Sequence, residues 1–471
     1  MLSKLFPLLD YLYIFQLLEY EKSDFIKWFF RNPLRRNLQK KNTLDFTLKI
    51  QLLAILTSFI MLACATILSL IFAGGSVWVL IMFYILFEST SPFFIIISSL
   101  IIAPLDFYSK SKIINKAKAR LRTLDNLKTV AIVGSYAKTS TKNMLYTLLW
   151  KDFYVVKTPK SFNTPVAIAQ TIISYLKPTT QIFIVEMAAY HTGDITNLCK
   201  IVKPDMAIIT AIAPQHLERF GNIQKLADTQ FEVAKALKDN GILFLNSTDE
   251  LTIHTEEKYE ANKVFLGGEL DKFKVENIKQ SGSGLKFLLN LDEEVIEIEL
   301  PLKGEHNAYN FLAAASIAYK LGLPPKTIAE RAKLVLPTEH RLEITKPGKF
   351  TLIDNSYNTN PKVVISSLKL LKDTAGDKRK ILITPGLIEQ GSNAEVENKK
   401  FIILAAQVAD EIIIVGESFK EFLKKGLTES EFNADRIHYA KSTKSALEIA
   451  NRISDEGAVV LIENDLPDQY S

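Results

Sequence analysis

The sequence predicts an α/β protein with three parts. A central parallel-sheet domain of the P-loop type is followed by a smaller C-terminal Rossmann-like α/β domain, and a two-helix transmembrane hairpin precedes both. Three observations predict this. Residues 129–142, TVAIVGSYAKTSTK, run from a β-branched stretch through a small-residue loop and Lys-Thr into a helical pattern. After them, short apolar runs alternate with helical patterns, the rhythm of parallel strands with crossover helices. Before residue 105 lie two apolar runs, each longer than the roughly 20 residues a helix needs to cross a bilayer.

With 471 residues the chain is long enough for two or three domains. Hydrophobic residues make up 48% and concentrate before residue 105. A net charge of +5 is mild for this length and gives no case for nucleic acid as a partner. Cys64 and Cys199 are far apart, without metal spacing or a disulfide framework, and read as packing residues. The first apolar patch, Leu5–Leu18, contains Asp10 and lacks a small-residue cleavage site, so no cleavable signal peptide is expected.

Residues 1–124 form the expected membrane-anchor region, with spans at about 50–73 and 77–104 joined by Ala73-Gly74-Gly75-Ser76. Arg31, Arg35, Arg36, Lys40, Lys41 and Lys49 precede the hairpin; Lys110, Lys112, Lys116, Lys118, Arg120 and Arg122 follow it. Basic flanks around an uncharged link place both flanks in the cytoplasm. The expectation is a multi-pass protein of the bacterial cell membrane, with cytoplasmic catalytic domains and membrane lipid as a partner. Glu88, costly in lipid, is expected against a helix partner or at the interface, and Pro92 is expected to kink the second span. Leu5–Phe30 reads either as an interfacial amphipathic helix or as a cytoplasmic helix packed on the catalytic part.

Residues 125–337 form the expected central domain. Strands are predicted at Val130–Val133, Ile182–Val185, Met206–Ile209 and Ile242–Leu245. In the loop after the first, Gly134, Ser135, Ala137, Lys138, Thr139 and Ser140 are candidates for holding phosphate. Backbone N–H groups and the helix N-terminus face the anion, Lys138 supplies charge, and the Thr139 hydroxyl can reach Mg²⁺. The general pattern wants Gly where Ala137 and Ile132 stand, so taken alone the stretch reads equally as a polar strand–helix loop with an exposed lysine. Ligands of such sheets bind beyond the carboxyl ends of the strands. There Glu186 ends IFIVE, and His216 follows MAIITAIAPQ. A carboxylate and an imidazole converging on the loop suggest a Mg²⁺–nucleotide site. Residues 263–302 read as short antiparallel strands, and Gly304–Leu323 as a turn and an Ala-rich helix. Beyond Leu336-Pro337-Thr338, residues 338–471 form the last domain, with strands at Phe350–Ile353, Lys380–Ile383, Glu411–Val415 and Ala458–Ile462.

Taken in order, GSYAKTSTK, VEMAAYHTGDI, KPDMAIITAIAPQHLERFG, GEHNAYNFLAAA, HRLE, DNSYNTNP and TPGLIEQG resemble the Mur ligase family, and within it the D-alanyl-D-alanine-adding branch. The resemblance covers roughly residues 125–471 and implies an enzyme, an ATP-dependent carboxylate–amine ligase. ATP phosphorylates an acceptor carboxylate, an amine attacks the acyl phosphate, and ADP and phosphate leave. It implies that Lys138 contacts the β/γ-phosphates, that Thr139, Glu186 and His216 hold Mg²⁺, and that Asn307 and Asn310 hold adenine. It places Arg341 in the linker that closes on the nucleotide, and Asp354, Tyr357, Asn358 and Asn360 in a loop near the phosphates and the incoming amine. Lys138, His216, Arg341 and Asp354 are the implied catalytic set. A peptidoglycan precursor, an amino acid or dipeptide, and wall-synthesis proteins are the implied partners.

The chain also departs from the family. Ala137 replaces the loop glycine, tolerable only at negative φ and without close phosphate approach. Gln230 stands where family members often carry a lysine modified to a carbamate, so a second Mg²⁺ is expected to be held differently. Asn355 stands where Asp is frequent. The branch has a soluble UDP-binding N-terminal domain where this chain has the apolar hairpin, which opens a lipid-linked or otherwise different acceptor. The expected function is a ligase adding D-alanyl-D-alanine to a cell-wall precursor. A poly-γ-glutamate-type polymerase and a catalytically inactive nucleotide-binding scaffold are the alternatives.

Overall fold

The computed structural model describes residues 7–32, 43–214, 217–281, 284–357 and 359–465. Two of the expected site residues, His216 and Asn358, lie outside the described residues. The chain divides into two compact units, the first reaching Lys112 and the second running from Ile113 to Asp465.

In the first unit, the helix Leu48–Ala73 starts where the Thr47 hydroxyl accepts the Ile50 N–H and ends at Gly74, whose φ of 56° is the left-handed stop favoured by glycine. The expected second span is corrected. Residues 77–104 do not form one helix but belong to two, Val77–Ser89 and Ser91–Leu121. Pro92 is the reason: it has no N–H to give the Glu88 carbonyl one turn back, which accepts the Ser91 hydroxyl instead at 2.8 Å, and proline is at home in the first turn of a new helix. Glu88 is buried and its carboxylate accepts the N–H of Leu8, the first residue of the helix Leu8–Leu17. That N–H has no intrahelical partner, and a carboxylate suits the positive end of the helix. The helices Leu8–Leu17 and Lys22–Arg31 pack Phe15, Phe25 and Trp28 with Ile50, Leu53 and Ile95.

The second unit holds two sheets. The larger has strands β1 (Lys128–Val133), β2 (Val155–Lys157), β3 (Ile182–Glu186), β4 (Met206–Ile209), β5 (Ile242–Asn246), β6 (Asn262–Leu266), β7 (Phe273–Ser281), β8 (Gly284–Leu291) and β9 (Glu294–Leu300), in spatial order β2-β3-β1-β4-β5-β6-β7-β8-β9. Neighbours from β2 to β7 pair parallel. This corrects the antiparallel expectation for β6, which returns parallel to β5 after the crossover helix Glu250–Glu256, whereas β7-β8-β9 is an antiparallel meander within the expected residues 263–302. Alternate residues of one strand serve opposite cores: Val130 and Ile132 face the layer containing Leu145 and Phe311, while Ala131 and Val133 face that containing Ile168 and Phe231. Burial on both faces is why these strands read as continuous apolar runs.

The smaller sheet comprises β10 (Glu343–Thr345), β11 (Thr351–Asn355), β12 (Lys380–Thr384), β13 (Glu411–Val415), β14 (Ile437–Ala440) and β15 (Val459–Glu463), ordered β10-β11-β15-β12-β13-β14. Only β10 runs antiparallel. β15 lies between β11 and β12, so the chain's last strand is central to the sheet, with Asn355 in register with Glu463. Neither β10 nor β14 is predicted from sequence; both are short edge strands with half-exposed residues and little apolar signal.

Candidate nucleotide site

The first strand ends in a loop that the rest of the domain holds tightly. Gly134 has a φ of 131°, and a Cβ there would fall 2.3 Å from the Thr210 hydroxyl, so only glycine fits. Its N–H donates to Gln230 Oε1 at 2.9 Å. Thr210 Oγ1 donates to the Tyr136 carbonyl at 2.6 Å. Ser135 Oγ accepts the Ala213 N–H at 3.1 Å. The sequence reading of Ala137 is corrected, since its φ is +66° rather than negative. The left-handed backbone that glycine would supply is thus retained with a methyl, at a cost of roughly 1–2 kcal/mol.

The helix Lys138–Leu149 starts at the loop. Lys138 Nζ donates to the carbonyls of Gly134 at 2.6 Å and Ser135 at 3.1 Å. Burial pulls its pKa down to about 8, against the attraction of Glu186. Glu186, at the end of β3, is buried. Its Oε2 accepts from Thr139 Oγ1 at 3.0 Å and from Lys142 Nζ at 2.8 Å, and its Oε1 from Asn163 Nδ2 at 3.3 Å. Burial alone would push this carboxyl up, but Lys142 and Lys138 outweigh it and hold it below the usual carboxylate range. Lys142 is itself fully buried and also donates to the Lys160 carbonyl. Lys142, Asn163 and the Gln230–Gly134 bond are absent from the sequence reading. The one available signal was spacing, for Lys142 lies one helical turn beyond Lys138.

The donor set fits a divalent cation. A hydroxyl and a carboxylate, both hard oxygen ligands, meet between Thr139 and Glu186, with Glu186 Oε1 taken up only by a 3.3 Å contact. Beside this cluster a cavity is lined by Ala137, Ser140, Asn246, His306, Asn307, Asn310, Arg341, Asn355 and Lys362, among others. It therefore draws on both sheets' domains. Gly304 precedes it, and a Cβ there would fall 2.5 Å from the His306 ring. Burial pulls His306 down to about 4, so its ring is neutral at pH 7.

The expected residues thus fall into separate groups. Ala137, Ser140, Asn307, Asn310 and Arg341 share the cavity. Lys138, Thr139 and Glu186 form the charged cluster. Asp354 Oδ2 is engaged by His340 Nδ1 at 2.7 Å, and this bond raises the His340 pKa. Tyr357 lies under Arg341, whose guanidinium carbon is 4.3 Å from the ring centre. Asn360 is buried and uses its side-chain oxygen to cap the helix Pro361–Ala375, accepting the N–H groups of Lys362 and Val363 at 3.0 and 3.1 Å. Lys362 Nζ crosses from the last domain to Asp249 and to the Ile212 carbonyl.

Fold and site together define an α/β protein with a large, mostly parallel sheet, a second smaller sheet, and a glycine-turned strand–loop–helix beside the cavity. Residues 132–318 match the Mur ligase middle domain, and residues 340–463 match the domain described as Mur ligase, glutamate ligase domain. The chain belongs to the Mur ligase family and is an ATP-dependent amide ligase. It is 25% identical over 350 residues, 74% of this chain and 75% of the relative, to UDP-N-acetylmuramoyl-tripeptide–D-alanyl-D-alanine ligase from Bacillus subtilis. It is 30% identical to the enzyme of that name from Haemophilus influenzae, over 58% of this chain and 60% of that protein. MurF from Acinetobacter baumannii superposes with a TM-score of 0.68 at 22% identity, covering 76% of this chain and 77% of that one. MurF from Thermotoga maritima, in complex with ADP, gives 0.66 at 23% identity over 76% and 80%.

These comparisons correct the expected localisation. The relatives are named for a UDP-linked substrate, and a multi-pass membrane protein is not indicated. Among the described residues, Leu48–Ala73 and Ser91–Leu121 are long and apolar enough to cross a bilayer, a criterion of length and composition that core helices of soluble proteins also meet.

Proposed function

We propose that the protein joins D-alanyl-D-alanine to the tripeptide of a UDP-muramoyl precursor through an acyl phosphate. The observation that carries this reading is the cluster of Lys138, Thr139, Glu186 and Lys142 beside a cavity that draws on both domains. The names of the relatives supply the substrates. In this reading residues 125–337 are the ATP-binding domain and residues 338–471 the closing domain.

Lys138 exchanges its loop carbonyls for β/γ-phosphate oxygens when ATP binds. The loop N–H groups and the start of the helix Lys138–Leu149 face the same anion. Asn307, Asn310 and Arg341 take the nucleoside end. Thr139 and Glu186 would hold Mg²⁺, whose charge would neutralise phosphate oxygens. An acceptor carboxylate oxygen bonds to the γ-phosphorus as the bond to ADP breaks. The deprotonated amine then attacks the acyl carbon, and inorganic phosphate leaves as the amide forms. Fixed positive charge suits a transition state whose charge is spread over phosphoryl oxygens. Closure of the last domain, which carries Asp354, Tyr357 and Asn360, excludes the water that would hydrolyse the acyl phosphate.

The test is phosphate release by the full chain with ATP, Mg²⁺, UDP-muramoyl-tripeptide and D-alanyl-D-alanine, and with each omitted in turn. Release that needs every component, and is lost in Lys138→Ala, is expected. Turnover in Lys138→Ala equal to that of the native chain would overturn the assignment of the site.

A further inference from the structure

The segment ENDLPDQY at the C-terminus has no role in the reading above, and its sequence reads either as a solvated tail or as a cover over a substrate loop. The structure places its first residue elsewhere. Glu463 ends β15, in the middle of the smaller sheet, and is fully buried. Its Oε1 accepts from Asn355 Nδ2 at 2.9 Å and from the Thr359 hydroxyl. Those donors stand at the two ends of the segment that contains Tyr357. Asn464 adds a third tie, its N–H donating to the Asn355 carbonyl at 3.1 Å. From the segment, the Tyr357 ring lies 4.3 Å from the Arg341 guanidinium, and the Tyr357 N–H donates to the His340 carbonyl at 3.4 Å. Arg341 in turn lines the nucleotide cavity.

We propose that Glu463 is a positioning residue, pinning both ends of the 355–359 segment so that Tyr357 holds Arg341 at the nucleotide cavity. A burial of this kind is expensive without a return. A carboxylate surrounded by neutral donors keeps Oε2 without a hydrogen-bond partner. The groups facing it, Asn355, Thr359 and Ser367, carry no charge, and burial raises its pKa to about 7. A solvated tail has no reason to retain such a group at the centre of a sheet. A two-point anchor for a loop beside the reacting groups does.

The proposal rests on the ligase reading for its kinetic consequence but not for its structural one, and the experiment separates them. Amide hydrogen exchange and phosphate release are measured on the full chain for Glu463→Ala, Glu463→Gln and Thr359→Val, each shown folded by its thermal transition. Glu463→Ala and Thr359→Val are expected to speed exchange in residues 355–359 at least tenfold, with β12 and β13 unchanged, and to lower kcat about tenfold. Glu463→Gln keeps an acceptor oxygen and is expected to stay within threefold of the native chain in both. Native-like exchange in folded Glu463→Ala would overturn the proposal. Faster exchange in a protein that releases no phosphate with these substrates would sustain it and overturn the ligase assignment instead.

Discussion

The side-chain carbonyl of Gln230 accepts the backbone N–H of Gly134 at 2.9 Å, which makes a buried helix residue a clamp on the loop after β1. Gly134 cannot shift to find another acceptor, because Thr210 and Ala211 already crowd it. Gln230→Leu is therefore expected to leave an unpaired buried donor. The loss is about 1–3 kcal/mol of stability, together with a KM for ATP raised about tenfold. Thermal melts and ATP titrations check both; a variant with the native melting point and KM would show the clamp to be dispensable.

Ala137 holds a left-handed backbone at φ 66° that a methyl group disfavours. Ala137→Gly removes that strain, and glycine's greater freedom in the unfolded chain offsets part of the gain. The net expectation is a stabilisation below about 1 kcal/mol, or roughly 2 °C in melting temperature. A lower melting point would refute the strain argument.

The Lys142–Glu186 pair is buried, so breaking it is costly in a way that an exposed pair is not. Lys142→Met leaves the Glu186 carboxylate without its closest cation and is expected to cost on the order of 3–5 kcal/mol. The double variant Lys142→Met, Glu186→Gln should recover a large part, as a double-mutant cycle would measure. The native Glu186 carboxyl lies below its ordinary range. Its contribution is thus present above the unfolded carboxyl pKa, about 4.3, and is lost as pH falls through the lower native value.

Glu463 behaves in the opposite sense. Its pKa of about 7 exceeds the unfolded value, so its neutral form suits the fold. That contribution is complete below the unfolded pKa of about 4.3 and fades as pH rises through about 7. Glu463→Gln, which cannot ionise, is expected to gain on the native chain by on the order of 3 kcal/mol between pH 4 and 8. Denaturant titrations at the two pH values test this, and parallel curves would contradict it.

Divalent cation removal gives a further test of the Thr139–Glu186 cluster. Excess EDTA is expected to abolish phosphate release and to weaken ATP binding, and Mg²⁺ in excess should restore both. ATP-dependent release that persists in EDTA would rule out a metal role for the pair.

Much of the second unit was readable because parallel strands covered on both faces are uninterrupted apolar runs. Val130–Val133 and Ile182–Val185 needed no tertiary information. The loop after β1 was readable because glycine, small residues and Lys-Thr have a local meaning. Less was readable where polarity had a distant cause. Lys142 carries no local signal for its buried partner, Gln230 reads as a departure from a metal ligand, and Asn360 reads as a substrate contact rather than a cap. The apolar stretch 77–104 read as one helix because hydropathy averages over the break that Pro92 enforces.

The sequence by itself determined the fold class, the family and the order of most strands, though not the edge strands β10 and β14 or the break between the helices Val77–Ser89 and Ser91–Leu121. These rest on local periodicity and on short motifs whose chemistry is local. Only the tertiary structure decided which polar groups meet. Lys142 with Glu186, Gln230 with Gly134 and Glu463 with Asn355 are separated by 44, 96 and 108 residues. Such pairs form because strand ends converge at one edge of a sheet, where burial makes every polar group find a partner, and no window along the chain contains that edge.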